Sequence, residues 1–171
     1  MKALGGQPPF APGAVEAFLN DRRIAVLSYV RADGRPNQTP IWYTLRNGTF
    51  FMTTTAGGAK HRAIDRDPNI CLTIQDERPP YRAVIADGVA SLTDLDAADD
   101  PTEGMATRYF GRLGAASYDR MTSEIYSASG MTLITLVPTG LRGFDNTQAL
   151  SAGALAFVRI RNRLPLPRRW L

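Results

Sequence analysis

The stretch Ile24-Ala25-Val26-Leu27-Ser28-Tyr29-Val30, with the return Gln38-Thr39-Pro40-Ile41-Trp42-Tyr43-Thr44-Leu45 and the next run Thr49-Phe50-Phe51-Met52-Thr53-Thr54-Thr55, decides the fold. The first run is apolar and β-branched and is followed by Asp33-Gly34, a favoured hairpin turn pair. The chain is therefore expected to fold back through Gln38–Leu45, turn at Asn47-Gly48 and leave as Thr49–Thr55, a three-stranded antiparallel meander. Pro40 cannot donate to a ladder, so the second strand is an edge, is bulged, or opens to a ligand at that point. Trp42 beside the interruption is a candidate pocket wall.

Outward from that core, Ala14–Asn20 has apolar residues at helical spacing and reads as a short helix over one barrel mouth. Ala59–Asp67 reads as a second short helix, stopped by Pro68. Asn69–Gln75 is a fourth strand, Asp76–Pro80 a loop, and Tyr81–Leu92 a fifth strand with Gly88 as its bulge. Ala97–Ser127 is mostly helical, with interruptions at Pro101, Gly111 and Gly114. Met131–Val137, Pro138 and Leu141–Phe144 supply the last strand or two. About six short antiparallel strands with few helices argue for a mainly β, α+β domain built as a closed or split barrel rather than a parallel sheet.

The 171 residues, 44% hydrophobic and 21% charged, suit one globular domain with a real core. The expected division is an N-terminal lead over 1–13, a barrel over 14–146 and a C-terminal extension over 147–171. The single Cys71, between Ile70 and Leu72, admits no internal disulfide; packing is its expected role, and a reducing cytoplasm fits. No run of 18 apolar residues exists and the N-terminus lacks the apolar core of a signal peptide, so a soluble, unexported protein without an integral membrane segment is expected.

The net charge of +4 is carried by arginine, Lys2 and Lys60 being the only lysines, and guanidinium favours bidentate contacts to phosphate or carboxylate. Anionic ligands are the expected partners. Nucleic acid is not, because the arginines are scattered and no binding motif accompanies them. The exception is the tail, where Arg159, Arg161, Arg163, Arg168 and Arg169 cluster among Val158, Ile160, Leu164 and Leu166. It touches a membrane surface, a partner subunit, or nothing.

Lys60 opens the second helix after Thr53, Thr54, Thr55, Gly57 and Gly58, which supply hydroxyls and unobstructed amides. Free amides at a helix start attract anions, and lysine adds a full charge. The spacing is not that of the phosphate loop of nucleotide hydrolases. A surface lysine after a flexible turn is the plainer account of that segment alone. His61 is the only histidine, and no Cys, His and carboxylate set has ligand spacing, so no metal site is expected. No nucleophile elbow precedes His61, which reads as a solvent-facing helix residue, and hydrolase chemistry drops out. No catalytic acid, base or nucleophile is identified, which suits a hydride-transfer protein that mainly holds a cofactor against a substrate.

The ordered set of segments then matters more than any one motif. Ala32-Asp33-Gly34-Arg35-Pro36 with Pro40-Ile41-Trp42-Tyr43, Thr53-Thr54-Thr55 with Lys60-His61-Arg62-Ala63-Ile64-Asp65-Arg66-Asp67-Pro68, and Ala83-Val84-Ile85-Ala86-Asp87-Gly88-Val89-Ala90 closely resemble the split-β-barrel flavin and deazaflavin proteins. That is the pyridoxamine-phosphate-oxidase-like superfamily, and its B-type deazaflavin-dependent reductases look most similar. Arg108-Tyr109-Phe110-Gly111 resembles an Arg-Tyr-x-Gly element of that branch. The resemblance covers about Val15 to Phe144.

The resemblance implies a homodimer of six-stranded split barrels with two cofactors in clefts at the subunit interface. By position, Lys60 would hold a cofactor phosphate, helped by Thr53, Thr55 and the amides of Gly58 and Ala59. Gln38, Thr39, Pro40, Ile41 and Trp42 would border the isoalloxazine-like ring. Arg62 would reach the phosphate, Tyr81 and Arg82 would close the cleft, and Arg108 would meet the anionic tail. Trp42 and Tyr43 read otherwise as core or dimer aromatics, a reading of about equal weight for Tyr43. Relatives often carry a basic residue where Gly58 and Ala59 stand, so the phosphate grip here rests on fewer charges.

The implied cofactor is coenzyme F420, with FMN as the alternative, and the implied reaction is hydride transfer to a conjugated organic acceptor. A non-catalytic carrier is the third reading. The arginine bias hints at a GC-rich, actinobacterial genome. Beyond Phe144, Asp145–Leu171 adds one strand-length and one short helix, expected to lie across the partner subunit or over the cleft mouth.

Overall fold

The computed structural model describes residues 1–164, apart from the side chains at 97 and 124–128. In chain order lie β1 (Lys2–Ala3), α1 (Ala14–Asn20), β2 (Ala25–Val30), β3 (Pro36–Ile41), β4 (Thr44–Arg46), β5 (Thr49–Thr55) and α2 (Ala59–Arg66). They are followed by β6 (Asn69–Gln75), β7 (Arg82–Asp94), α3 (Met105–Ser129), β8 (Met131–Asp145) and α4 (Ala152–Arg163).

Alternation along the strands puts one face of each into a common core. Ala25, Leu27 and Tyr29 of β2, Phe50 and Met52 of β5, Ile70, Leu72 and Ile74 of β6, and Ile134 and Leu136 of β8 are all buried. Phe18 and Leu19 of α1 and Ile64 of α2 join this core. The strands run β3-β2-β6-β7-β8-β5-β4 across one sheet, with β1 added parallel to β8. The two edge strands β3 and β4 are consecutive in the chain and separated only by Trp42 and Tyr43. The sheet must therefore curl until its edges approach, which is the split barrel. Counting the bent segment 36–46 once and leaving β1 aside gives the six expected strands.

The expected three-stranded meander is corrected at this point. β2 pairs with β3 and β4 with β5, but the single strand expected over Gln38–Leu45 breaks at Trp42-Tyr43 and serves both edges. Pro40 does sit on an edge strand, opposite Val26, where its missing N–H costs no ladder bond. At the corner Tyr43 is fully buried; its hydroxyl donates to the Leu19 carbonyl at 2.7 Å, and its own N–H donates to the Tyr109 hydroxyl at 3.3 Å. Burial pushes the Tyr43 phenol up to about 12.

At Gly88 the bulge's extra residue lies on β8, as Thr139, because Asp87 pairs with Gly140 and Gly88 with Pro138. A Cβ on Gly88 would come within 2.8 Å of the Val137 carbonyl oxygen, so only glycine fits. The last strand is continuous through Pro138. The helical region is interrupted at Gly111, with φ 72° and ψ 170°, and not at Gly114. Beyond β8 the chain forms a 3-10 turn over Asn146–Ala149 and then α4, with no further strand among the described residues; Leu166, Arg168 and Arg169 lie outside them. The N-terminal lead is built into the barrel, through β1 and through Phe10, which is buried against Phe18 at 5.0 Å. Among the described residues no helix is long and apolar enough to cross a membrane.

Candidate functional site

The barrel corner and the start of α2 face each other across a cavity of about 320 Å³. β5 contributes Thr53, Thr54 and Thr55, α2 contributes Lys60, and the end of β3 contributes Pro40 and Ile41. Trp42 projects from the corner, and Tyr118 comes from α3. The corner that splits the strand is what turns Trp42 toward the cavity while Tyr43, its neighbour, goes into the core.

Lys60 is half-buried, and among the described residues it has no hydrogen-bond or ion-pair partner. Burial alone lowers its pKa from 10.5. The N-cap of α2, Gly58, makes no side-chain cap, which leaves the first-turn amides without a capping acceptor. An unneutralised ammonium, uncapped helix amides and threonine hydroxyls together form an anion-binding constellation.

The turn before α2 is fixed from both sides. Gly57 takes φ 63°, a left-handed conformation that favours glycine, and its N–H donates to His61 Nδ1. The Arg62 guanidinium donates to the Gly57 carbonyl, and the Gly58 N–H donates to the Thr55 carbonyl at 3.1 Å. His61 is thus a half-buried turn clamp rather than a solvent-facing residue, and Arg62 is held at the turn rather than in the cavity wall. The i to i+4 spacing of Gly57 and His61 was the available signal for this clamp.

An aromatic cluster backs Trp42. Its ring stacks on Tyr109 at 4.8 Å and 8°, meets Phe110 edge-on at 5.1 Å, and lies 4.9 Å from Tyr118. The kink at Gly111 brings residues on both sides of it to the same indole. Tyr109 also donates to the Arg23 carbonyl at 2.7 Å, and burial raises its pKa. Sequence reasoning missed Tyr109, Phe110 and Tyr118 as site residues, because nothing local links α3 to the barrel corner.

A second, larger cavity of about 830 Å³ adjoins the first, and Ile24 and Pro40 line both. Arg82 lies in its wall, with Nε donating to Asp76 at 2.6 Å. The remaining expected site residues are not among those lining either cavity. Gln38 is on the outer face and donates to the Ser28 hydroxyl. Thr39 buries a hydroxyl that has no partner, Tyr81 is exposed, and Gly58 and Ala59 precede Lys60 at the helix start.

Arg108 caps the C-terminus of α1 through the carbonyls of Leu19, Asn20 and Asp21, the last at 2.8 Å. Replacing Arg108 with Gln is therefore expected to destabilise the fold by about 2 kcal/mol, through lost charge-assisted hydrogen bonds, with ligand affinity unchanged. Thermal unfolding against ligand titration separates these effects; weakened binding at unaltered stability would return Arg108 to the binding site.

Cys71 is half-buried on β6, and burial, followed by a hydrogen bond with Asp87, pushes its thiol up to about 11, an unreactive state. Among the described residues no group of His, Cys, Asp and Glu could hold a metal.

Residues 11–137 match the family model described as pyridoxamine 5'-phosphate oxidase. The fold is similar to that of Rv2991, a conserved hypothetical protein of Mycobacterium tuberculosis, at 21% identity and a TM-score of 0.65, over 88% of this chain and 94% of that one. It is also similar to a structure described as an F420 reductase, at 21% identity and a TM-score of 0.54, over 77% and 98% of the two chains. A putative pyridoxamine 5'-phosphate oxidase of Listeria innocua aligns at 17% identity and a TM-score of 0.53, over 75% and 94%. At these identities the likeness is one of fold. No curated protein sequence matches the chain.

Proposed function

The chain belongs to the pyridoxamine 5'-phosphate oxidase family, and from that premise we propose that it is an oxidoreductase that binds a phosphorylated deazaflavin, coenzyme F420, in the cavity at Lys60. The observation that carries this reading is the half-buried Lys60, which lacks an acidic partner among the described residues and lies in one cavity wall with Thr53 and Thr55. Leaving a cation in that state is unfavourable unless an anion arrives to pair with it.

The residues present fit such a group. Lys60, the amides of Ala59 and the first turn, and the threonine hydroxyls would hold the phosphate. Pro40, Ile41 and Trp42 would border the ring system. When bound, the reduced cofactor supplies a hydride to an electron-poor carbon of a conjugated acceptor, with a proton from water completing the two-electron reduction. The protein's part is binding, orientation and exclusion of water. No carboxylate or histidine lines this cavity among the described residues. We further propose a homodimer, with the partner completing each cofactor cleft, and a cytoplasmic setting.

The test is titration of purified, cofactor-stripped protein with F420 and, separately, with FMN, followed by fluorescence and the visible spectrum. Saturable micromolar or tighter binding of F420 alone is the expected result. A preference for FMN moves the protein to a flavin-dependent oxidoreductase, and failure to bind either removes the enzyme reading. Tight binding without turnover on a panel of quinones, enones and tetrapyrroles identifies a carrier.

A further inference from the structure

The larger cavity carries chemistry that the cofactor reading leaves unused. Five arginines line it, Arg22, Arg23, Arg78, Arg82 and Arg159, against only two acids, Asp76 and Glu77. Asp76 is committed internally, since one carboxylate oxygen accepts from Arg23 Nε at 2.9 Å and the other from Arg82 Nε at 2.6 Å. Arg23 is further tied to the Phe18 carbonyl at 2.6 Å and to Asp21 at 3.2 Å.

The other guanidinium groups keep donors to spare. Arg82 uses only Nε, Arg78 uses one nitrogen on the Asn162 carbonyl, and Arg22 uses one on the Tyr109 carbonyl. Arg159 has no hydrogen-bond or ion-pair partner among the described residues. Beneath these groups the wall is apolar: Ile24, nearly half exposed, with Val26, Pro40 and the Pro79-Pro80 pair.

One side of the cleft is supplied by the C-terminal helix. Ser151 caps α4 by accepting from the Ala154 N–H at 3.3 Å. Asn162 donates to the Pro79 carbonyl while its own carbonyl accepts from Arg78 at 2.7 Å. These two reciprocal bonds pin α4 to the loop 76–80, so Arg159 reaches the cleft from a fixed support rather than a loose tail.

We propose that this cleft binds an amphipathic organic anion, with an apolar body and at least two carboxylates, and that Arg159 is a specificity-determining residue for it. Separate planar guanidinium forks spread around an apolar floor match several dispersed carboxylates. The volume is that of a site for a sizeable small molecule. Because Ile24 and Pro40 line both cavities, a molecule seated here extends toward Lys60 and Trp42. It is therefore the acceptor's cleft; that last step rests on the function proposed above, whereas the anion site itself does not.

The experiment uses the full-length protein without cofactor, titrated with naphthalene-2,6-dicarboxylate and with the neutral diamide of the same ring. Saturable binding of the dicarboxylate is expected, at least about tenfold tighter than the diamide and weakened by salt. Arg159→Gln, an exposed change that leaves the fold intact, is expected to weaken the dicarboxylate about tenfold, with Arg159→Lys partly restoring it. Lys60→Ala is expected to leave this binding unchanged.

Equal binding of the diamide overturns the anion site. So does a loss in Lys60→Ala with none in Arg159→Gln, which would place the dicarboxylate at the phosphate position. Repeating the titration with F420 present tests the acceptor assignment: both are expected to bind together, and competitive displacement would give the cleft to the cofactor's own anionic end and overturn that assignment. If neither F420 nor FMN binds while the dicarboxylate still does, the cofactor reading falls and the anion site stands.

Discussion

Lys60→Met is expected to weaken binding of the phosphorylated cofactor by about 10- to 100-fold while making the cofactor-free protein more stable. The first effect follows from removing a charge-assisted contact to phosphate. The second follows from what Lys60 lacks: it is half-buried with no acidic partner among the described residues, and burial lowers its pKa from 10.5.

The direction of the pH dependence is set by that lowering. Between the folded pKa and 10.5 the unfolded chain holds more protons than the folded one, so stability rises with pH across that window. Below it, the parent carries the full penalty of a buried charge and Lys60→Met does not. Above about pH 10.5 the two proteins converge. Thermal melts from neutral to alkaline pH, with and without F420, check both halves. A variant that is less stable at pH 7 and binds as tightly as the parent would make Lys60 an ordinary structural residue.

Asp76→Asn is expected to cost about 2–3 kcal/mol and to lower Tm by roughly 5–10 °C. Asp76 holds Arg23 and Arg82 together, one on each oxygen, with side-chain exposures of 10% for Arg23, 18% for Asp76 and 30% for Arg82. Both guanidinium groups also lie over the Phe18 ring, at 4.0 and 5.0 Å. An amide offers one acceptor oxygen, no charge and an NH2 group facing a cation, so two like charges are left close together without their common partner. Circular dichroism melts measure the loss. The effect should exceed that of breaking the exposed Arg31–Asp33 pair, where both side chains are about half exposed. An Asp76→Asn protein as stable as the parent would show that solvent already screens the cluster.

Much of the architecture was legible because it is written in local patterns. The period-two alternation of Ile70, Leu72 and Ile74 placed β6 at its observed bounds, and Asn47-Gly48 adopts the positive φ values, 50° and 77°, that its hairpin turn needs. The anion-binding start of α2 was legible for the same reason, since Gly57, Gly58 and Lys60 lie within four consecutive residues. The break at Trp42-Tyr43 was not. Nothing in Gln38–Leu45 says that its two halves must serve opposite edges of one sheet, because that depends on five other strands lying between them.

Arg108 and Tyr109 mark the same boundary. Arg108 was read as facing a ligand's anionic tail and Tyr109 only as its neighbour in the same motif, yet their side chains bond to carbonyls more than 60 residues away, at Asp21 and Arg23. The C-terminal arginines were visible as a cluster, but composition alone left a membrane, a partner or nothing as destinations, and the extension was expected across the partner subunit or over the cleft mouth. The bonds from Asn162 to Pro79 and from Arg78 to Asn162 put Arg159 beside the barrel.

By itself, the sequence determined an antiparallel barrel, its turns and the helix start that carries Lys60, because hydrogen-bond periodicity, turn dihedrals and free helix amides are properties of short segments. Only the tertiary structure decided which face Trp42 shows, that Arg108 is a cap and that five arginines share one cleft, because those outcomes depend on how distant segments fill space and satisfy each other's polar groups.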